Sequence, residues 1–518
     1  MDVINLDTPV VRGADAPPAS LQTFVELLQW RAERTPDRLA LSFTHSTDQV
    51  ASLTYAQLNH AARAVAQDLR AQRCVGERAV IMLPPGVEYI FALLGCWYAR
   101  MTAVPMPAPH IDNGNTRVRM VLKDAGARVL ISTRAVLDGL GQSEWKSVST
   151  GNRVAYAIDQ VNWSGADNWT APAISPQTLA LLQYTSGATG EPKGVRLQHR
   201  QLMKSSQMLH QAMANSEQDV AVVCLPLHHG MELMSGVLQP LYGGYPVHLL
   251  APSTFLAQPL SWLEVISRHR ATITFAPSAV YDLCSQAPKT RDLTRLDLST
   301  LRLATNGAEP LRQQTLDAFG TAFLAQGFRP QSFFPCYGVA ESTLLIAAGD
   351  PHQAPRQLTL DRDCLSAGAL QAATSGVVLV SCGHIAPEAS LCIVDPHTLE
   401  PVAEGRVGEI WVSGPMVADG YWKKPQATWE TFHATLRDSD HHWLRTGDLG
   451  AMLDQQLYIT GRMKELIVAD EHQHYPSDIE STVMNTHPAV RIGVDRDGKE
   501  HPGLVIERRQ DPAQADAR

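Results

Sequence analysis

The first half of the chain alternates between helical and strand-like patterns of apolar residues. Residues 21–32 carry apolar side chains at positions 21, 24, 25, 28 and 32, which is the spacing of one helix face. Residues 55–69 repeat that spacing, and Thr54 stands where a helix cap is expected. Strand-like or buried apolar runs follow at 78–83, 89–99, 103–105 and 129–132. This alternation predicts a parallel sheet with crossover helices.

The same alternation continues between residues 220 and 286. Strands are predicted at 220–226, 246–249 and 272–276, and helices at 231–241, 260–269 and 279–286. From Gly376 the pattern changes to short strands separated by turns, at 376–382, 391–394, 407–413 and 456–460. Past Gly461 only a short stretch remains, in which a helix is expected at 476–484.

These patterns predict an α/β protein of at least two domains, because 518 residues exceed what one hydrophobic core usually holds. The larger, N-terminal domain is expected to span residues 1–461, with two α/β layers and a small β-rich subdomain. Residues 462–518 are expected to form a hinge and a truncated α+β C-terminal domain.

Composition narrows the class of protein. The formal charge of −9 argues against a nucleic-acid partner bound through phosphate neutralisation. The eight cysteines include no C-x-x-C pair, so we expect reduced thiols and a cytoplasmic protein. The first ten residues lack the basic start of a signal peptide. The apolar run at 89–106 contains Arg100 and Pro105 and is shorter than the ~20 residues of a membrane span, so no transmembrane segment is expected.

A hydroxyl- and glycine-rich turn, TSGATGEPKG at residues 185–194, follows an apolar run. Its glycines allow close backbone approach, its hydroxyls donate hydrogen bonds, and Lys193 supplies a cation, which together favour phosphate binding. Pro192 stands before the lysine where a P-loop NTPase needs glycine, so that class is disfavoured. A polar surface turn is the alternative explanation.

Five further stretches carry side chains suited to chemistry: PLHHGM (226–231), TNGAEP (305–310), PCYGVAEST (335–343), LRTGDLG (444–450) and GRMKELI (461–467). Each alone has an ordinary structural explanation, with Asp448 as a turn residue, Glu341 as a carboxylate at a helix start and His229 as a core histidine. Together with TSGATGEPKG, and in this order, they resemble the adenylate-forming superfamily of acyl-CoA synthetases, adenylation domains, luciferases and fatty acyl-AMP ligases.

The resemblance implies roles for these residues. It implies that residues 305–310 pack against adenine, that Tyr337 stacks near it, and that Asp448 binds the ribose hydroxyls. It implies catalytic roles for Lys193, His229, Glu341 and Arg462, with Glu341 as the Mg²⁺ ligand. The ATP-binding residues that it implies are Thr185, Ser186, Gly187, Thr189, Gly190, Lys193, Asn306, Gly307, Ala308, Glu309, Tyr337, Gly338, Ser342, Asp448, Arg462 and Lys464.

Within the superfamily the chain most closely resembles fatty acyl-AMP ligases, for example over residues 52–70, 95–109 and 405–422. The resemblance implies that ATP and a fatty acid form acyl-AMP and pyrophosphate, and that an acyl carrier protein accepts the acyl group. Residues 347–375 stand where this family carries an insertion that discourages use of coenzyme A. An acyl-CoA synthetase and a degenerate acyl-adenylate-binding regulatory protein are the alternatives, the second opposed by retention of the charged site residues.

The sequence departs from the family pattern in three places. Gly230 and Glu232 replace the usual Asp and Gly after the histidine, which bears on the acyl site, whose walls we expect at 227–237, 274–281 and 333–345. Glu471 replaces a glycine beside the expected thiol path. The C-terminal domain is expected to be short and to lack a clear counterpart of the usual lysine, since Gly498-Lys499 fits a hairpin turn better. We therefore expect slow adenylation.

Overall fold

The computed structural model describes residues 16–46, 49–108, 116–139, 153–185, 192–224, 226–287, 293–465, 467–469, 472–474, 490–492 and 506–508. Its strands are β1 Leu39–Ser46, β2 Gln49–Thr54, β3 Arg78–Met82, β4 Thr102–Met106, β5 Val129–Ser132, β6 Val154–Ala157, β7 Leu179–Thr185, β8 Lys193–Gln198, β9 Ala221–Val223, β10 Val247–Leu250, β11 Ile273–Ala276, β12 Leu303–Asn306, β13 Phe333–Tyr337, β14 Ala347–Ala348, β15 Gln357–Leu360, β16 Val377–Val380, β17 His384–Ile385, β18 Ser390–Val394, β19 Gly408–Ser413, β20 Ala434–Thr435, β21 His442–Leu453, β22 Gln456–Arg462, β23 Ile467–Ala469, β24 His472–His474, β25 Val490–Ile492 and β26 Ile506–Arg508.

The helices lie mainly between strands of the two large sheets. They are α1 Phe24–Arg34, α2 Tyr55–Ala71, α3 Val87–Tyr98, α4 Thr116–Ala125, α5 Arg134–Gly139, α6 His199–Ala212, α7 Gly230–Leu233, α8 Gln239–Gly243, α9 Pro252–Ala257, α10 Leu260–Arg268, α11 Ser278–Gln286, α12 Gln313–Ala322, α13 Arg362–Ser366 and α14 Pro425–Phe432. A π-helical turn, Met234–Leu238, joins α7 to α8, and a 3₁₀ turn spans Ala340–Ser342.

Two large sheets confirm the predicted α/β class. The first has the strand order β6-β5-β3-β4-β7-β8 and is parallel except for the β7–β8 hairpin. The second has the order β17-β14-β13-β12-β11-β9-β10-β1-β2, parallel from β13 to β1 and antiparallel at both edges. Parallel strands end at a common edge, which brings the loops after β12 and β13 together.

A third, antiparallel sheet contains three of the four strands predicted for the β-rich subdomain, while the strand predicted at 376–382 is β16, which pairs with β15 in a separate sheet. The third sheet has the order β18-β19-β21-β20, with β22 paired to β21. The predicted division of the chain at residue 461 stays a prediction, and the predicted helix at 476–484 lies outside the described residues. Within the part of the chain that the structure describes, no helix is long and apolar enough to cross a membrane.

Helix α2 begins as its sequence predicts. The Thr54 hydroxyl accepts from the Gln57 N–H at 3.3 Å, and the Gln57 side chain accepts from the Thr54 N–H at 2.9 Å. This reciprocal pair forms a capping box, which satisfies two backbone donors at the helix start. Helix α1 uses the same device at Thr23 with Glu26.

The core between the sheets depends on a close approach of α2 and α3. A β-carbon at Gly95 would lie 2.3 Å from Val65 Cγ1, so only glycine fits there without a shift. Trp97 of α3 is 1% exposed, and its indole N–H donates to the Ala180 carbonyl at 2.8 Å. That bond fixes α3 to β7, the strand that leads into residues 185–194, the predicted phosphate loop.

Candidate active site

The β7–β8 hairpin positions the two described ends of the phosphate loop. Thr185 and Lys193 are partners in the antiparallel register, so they lie opposite each other at one end of the sheet. Tyr184 points to the other face, where its hydroxyl donates to Asp124 Oδ2 at 2.6 Å. Ser186, Gly187, Thr189 and Gly190 lie outside the described residues, and their predicted roles stay predictions.

The loops after β12 and β13 form the predicted adenine and Mg²⁺ side of the site. Asn306 and Pro335 are partners in parallel strands, and a β-carbon at Gly307 would lie 2.8 Å from the Cys336 carbonyl oxygen. Asn306 is buried; its Oδ1 accepts from Ser278, and its Nδ2 has no hydrogen-bond partner among the described residues. An unpartnered amide donor at this position suits a nitrogen acceptor of a base.

Ala308 and Glu309 follow Gly307 and are exposed. Ala308 has a φ of 69°, the left-handed backbone region that few side chains favour. The Glu309 carboxylate accepts from the Ala279 N–H at 2.7 Å, at the start of α11. In this structure Glu309 therefore stabilises a helix start.

Tyr337, Asp448 and Arg462 form one polar cluster. Asp448 and Arg462 are partners in the β21–β22 ladder, with 2.9 Å between Asp448 Oδ1 and Arg462 Nε. The Tyr337 hydroxyl donates to Asp448 Oδ2 at 2.8 Å. Burial raises the pKa of Asp448, an effect that Arg462 opposes, while the Asp448 charge raises the pKa of Arg462. The structure thus brings together three predicted nucleotide residues.

A buried carboxylate, Glu409, holds the turn that presents Asp448. Glu409 is 2% exposed, and it accepts from the Trp411 indole, the Arg445 guanidinium and the Gly447 backbone N–H. Sequence reasoning missed this residue, although it lies within the stretch 405–422 that carries the family resemblance. Its signal was a glutamate inside an otherwise apolar strand, since buried charges are normally paired.

Glu341 lies on the 3₁₀ turn after β13, in contact with the segment 416–422. Its carboxylate Oε1 accepts from the Tyr421 hydroxyl at 2.7 Å, and its carbonyl accepts from the Ala418 N–H at 2.9 Å. The Lys193 ammonium lies 4.9 Å from the centroid of the Tyr421 ring. Two predicted catalytic residues therefore meet at a tyrosine that was not predicted.

The turn that carries Glu341 has strict backbone requirements. A β-carbon at Gly338 would lie 1.4 Å from the Leu344 carbonyl oxygen, so the returning chain excludes any side chain there. Ser342 is fully buried, and its hydroxyl donates to the Val339 carbonyl at 2.9 Å. Its hydroxyl is therefore used inside the turn, whereas the Glu341 carboxylate reaches the site.

The segment PLHHGM (226–231) lies beside β7. Gln183, two residues before Thr185, donates to the His228 carbonyl at 3.0 Å. His229 is exposed and precedes α7, and its ring lies 4.5 Å from that of His228. Glu232 is 6% exposed; burial raises its pKa to about 7, and its Oε2 has no partner among the described residues.

Lys464 is exposed in the turn after β22, and no contact among the described residues places it in the site. Glu471 and Lys499 lie outside the described residues. The side chains of the described part contain no group of three His, Cys, Asp or Glu residues able to cage a metal ion. Glu341 still fits Mg²⁺, because that ion is commonly held by one or two carboxylates together with substrate phosphates.

Known proteins resemble the chain over most of its length. The family described as AMP-binding enzyme matches residues 28–422. The medium-chain-fatty-acid–[acyl-carrier-protein] ligase JamA of Moorena producens is 37% identical over 481 residues, covering 90% of this chain and 81% of that protein. A 4-hydroxyphenylalkanoate adenylyltransferase of Mycobacterium marinum is 34% identical over 483 residues, covering 90% of this chain and 78% of that protein.

The fold is similar to that of solved structures. The crystal structure of fatty acyl-adenylate ligase from L. pneumophila, in complex with acyl adenylate and pyrophosphate, aligns with a TM-score of 0.81 at 32% identity. The alignment covers 91% of this chain and 82% of that chain. A structure from a study of fatty acyl-adenylate ligases from E. coli and L. pneumophila aligns with a TM-score of 0.83 at 30% identity, covering 94% of this chain and 87% of that chain.

Proposed function

The chain belongs to the AMP-binding enzyme family, and from this premise we propose that it activates a fatty acid as acyl-AMP and passes the acyl group to an acyl carrier protein. The family membership confirms the superfamily that the sequence motifs predicted, and it makes the chain an ATP-dependent, acyl-AMP-forming ligase. One observation carries the proposal. Lys193 and Glu341 both contact Tyr421, while Tyr337, Asp448 and Arg462 form one polar cluster.

The proposed first reaction joins two anions. A carboxylate oxygen of the fatty acid attacks the α-phosphorus of ATP, the bond from that phosphorus to the bridging oxygen breaks, and pyrophosphate leaves with the electron pair. Repulsion between the anions opposes this approach, and Lys193, the first residue of β8, would offset it. No general base is needed, because a carboxylic acid is already ionised near pH 7.

Glu341 is the residue that we propose to hold Mg²⁺. When bound, Mg²⁺ would neutralise phosphate charge and so ease the attack by an anion. Asp448 would accept hydrogen bonds from the ribose hydroxyls, and such bonds to a charged acceptor are stronger than neutral ones. Because Arg462 occupies one Asp448 oxygen in the structure, nucleotide binding requires that pair to rearrange or share the carboxylate.

In the proposed second reaction a thiolate attacks the acyl carbon, and AMP leaves. The relative JamA, named as a ligase that uses an acyl carrier protein, supports a phosphopantetheine thiol as the acceptor. Residues 358–370 pack against β21 and β22 and lie within the segment 347–375, which the family resemblance associates with poor use of coenzyme A.

The test is ATP–pyrophosphate exchange by the purified chain with fatty acids of different length and with a hydroxyphenylalkanoic acid. We expect exchange with a fatty acid, acyl-AMP detected by mass spectrometry, and acyl transfer to a phosphopantetheinylated carrier protein. If the chain binds acyl-AMP but catalyses no ATP–pyrophosphate exchange with any of the acids, the proposed ligase activity is overturned in favour of a regulatory binding protein. Acyl-CoA formation that outpaces carrier loading would overturn the proposed acceptor.

A further inference from the structure

Tyr421 contacts one residue from each side of the proposed site. Its hydroxyl donates to Glu341 Oε1 at 2.7 Å, and its ring centroid lies 4.9 Å from Lys193 Nζ. We propose that Tyr421 is a positioning residue that holds the Mg²⁺ carboxylate and the phosphate-loop lysine in place before Mg²⁺ and ATP bind. This inference rests on the proposed function of the site.

The fold fixes Tyr421 from several directions. Its backbone bridges to Val195 of β8, and the next N–H, that of Trp422, donates to the Gly194 carbonyl at 2.8 Å. The Tyr421 N–H donates to Thr428 Oγ1 at 2.9 Å, and its ring packs edge-on against Phe432 with centroids 5.1 Å apart. With 6% exposure, the side chain has little room to move.

The hydroxyl orients the carboxylate. Because the Tyr421 hydroxyl occupies Glu341 Oε1, it fixes the rotation of the carboxylate and leaves Oε2 to bind a cation. Partners of this kind tune metal ligands, and their loss commonly costs about 10–100-fold in metal affinity. A tyrosine hydroxyl is protonated near pH 7, so that of Tyr421 acts as a donor to the carboxylate.

The ring has a separate effect on the lysine. A cation over an aromatic face is attracted by the ring's negative centre. Lys193 therefore has a resting position at the ring, which holds the ammonium in place before ATP binds.

The test compares ATP binding by the full chain in Mg²⁺ and in EDTA, by calorimetry, so that it does not depend on turnover. For Tyr421→Phe we expect the Mg²⁺-dependent gain in ATP affinity to fall about tenfold, with affinity in EDTA unchanged. Tyr421→Leu also removes the ring, so it should weaken ATP binding in EDTA as well. An unchanged Mg²⁺ gain in Tyr421→Phe, or equal losses in both buffers, would overturn the proposal.

Tyr156→Phe is the matched control, because the buried Tyr156 hydroxyl likewise donates to a carboxylate, that of Asp68, at 3.0 Å outside the site. It should leave the Mg²⁺-dependent gain in ATP affinity unchanged, and a loss like that of Tyr421→Phe would also overturn the proposal.

If Tyr421→Phe does not fold, Thr428→Val tests the same point, since it removes the acceptor of the Tyr421 N–H. A folded Thr428→Val with the native Mg²⁺ gain would contradict the proposal. Absence of pyrophosphate exchange in the native chain would instead count against the ligase function.

Discussion

Asp448 is 4% exposed, and both of its carboxylate oxygens are already bonded, one to Tyr337 and one to Arg462. The proposed ribose contact uses this same carboxylate. Asp448→Ala removes up to two hydrogen bonds to a charged group, each about 1.5–3 kcal/mol before non-additivity. We therefore expect at least a tenfold lower kcat/KM in ATP–pyrophosphate exchange.

The control for Asp448→Ala is Asp454→Ala on the same hairpin. Asp454 is exposed and pairs with Arg356 at 2.8 Å, and surface pairs of this kind contribute little. Exchange by Asp454→Ala should match the native rate. A folded Asp448→Ala protein that retains native exchange would show that Asp448 serves the fold alone.

Glu232 gives the protein a predicted pH dependence of stability. Burial raises its pKa from 4.5 to about 7, so the folded state holds the proton more tightly than the unfolded state between these pH values. The contribution of Glu232 to the free energy of unfolding is therefore fully present below pH 4.5. It is lost as the pH rises through 7, by roughly 3 kcal/mol in total. Glu232→Gln should remove that loss.

Urea unfolding at pH 5 and pH 8 measures the effect of Glu232. We expect Glu232→Gln to unfold at higher urea than the native protein at pH 8 and to differ little at pH 5. Glu430→Gln, at an exposed glutamate on α14, serves as the control and should follow the native curve at both values. A native-like pH dependence in Glu232→Gln would mean that Glu232 is solvated or paired in solution.

At the scale of elements, the contact of α2 with α3 sets a strict size limit. Gly95→Ala places a methyl 2.3 Å from Val65 Cγ1, and the crowding must be relieved by a shift of one helix. Overpacking of this kind commonly costs about 1–3 kcal/mol. We expect Gly95→Ala to lower the melting temperature by several degrees, as measured by circular dichroism.

Gly139 is the comparison for Gly95, because it also lies in a helix but a β-carbon there meets no atom of the described residues within 4 Å. Gly139→Ala should leave the melting temperature unchanged or raise it slightly, since alanine favours helix. Equal effects of the two substitutions would show that helix propensity, and not crowding, controls stability at Gly95.

Some elements were predictable because one local signal determined them. Thr54 and the apolar spacing of residues 55–69 predicted α2, and the cap bonds confirm its start. The helix predicted at 231–241 is instead α7, a π-helical turn and α8. Apolar spacing does not separate a π turn from an α turn, because both keep one face of the chain buried. The β1–β2 hairpin was missed, because its polar and apolar residues mark no clear strand end.

The site shows the same division between local and tertiary information. Motif order predicted where Lys193, Glu341 and Asp448 stand in the chain, and the structure brings Lys193 and Glu341 to one tyrosine. The Tyr421–Glu341 and Glu409–Arg445 contacts could not be predicted, because they join residues 80 and 36 positions apart through tertiary packing. Residue type alone does not state which partner a buried polar group will find.

At the scale of the whole molecule, residues 358–370 brace the hairpin that carries Asp448 and Arg462. Leu360, Leu365 and Leu370 pack in one cluster with Leu449 and Tyr458 of β21 and β22. Two backbone bonds join this segment to the chain just before β19, from the Leu370 N–H to the Gly405 carbonyl at 2.8 Å and from the Val407 N–H to the Gly368 carbonyl at 2.9 Å. A braced hairpin leaves less freedom to open a path for a bulky acceptor.

The acceptor preference is therefore predicted to depend on this brace. The nucleotide head of coenzyme A is bulky and charged, whereas the pantetheine arm of a carrier protein is narrow and neutral, so a restricted path discriminates between them. We expect the native protein to load a carrier at least tenfold faster than coenzyme A. Leu365→Ala, which removes most of a side chain that is 3% exposed, should raise the acyl-CoA to acyl-carrier product ratio several-fold.

Leu324→Ala, at a 63% exposed leucine, is the control and should leave that ratio unchanged. Both products are counted by mass spectrometry from pre-formed acyl-AMP, so that differences in adenylation do not enter. Native acyl-CoA formation at the carrier rate would refute the preference, and an unchanged ratio in a folded Leu365→Ala protein would assign it to another part of the chain.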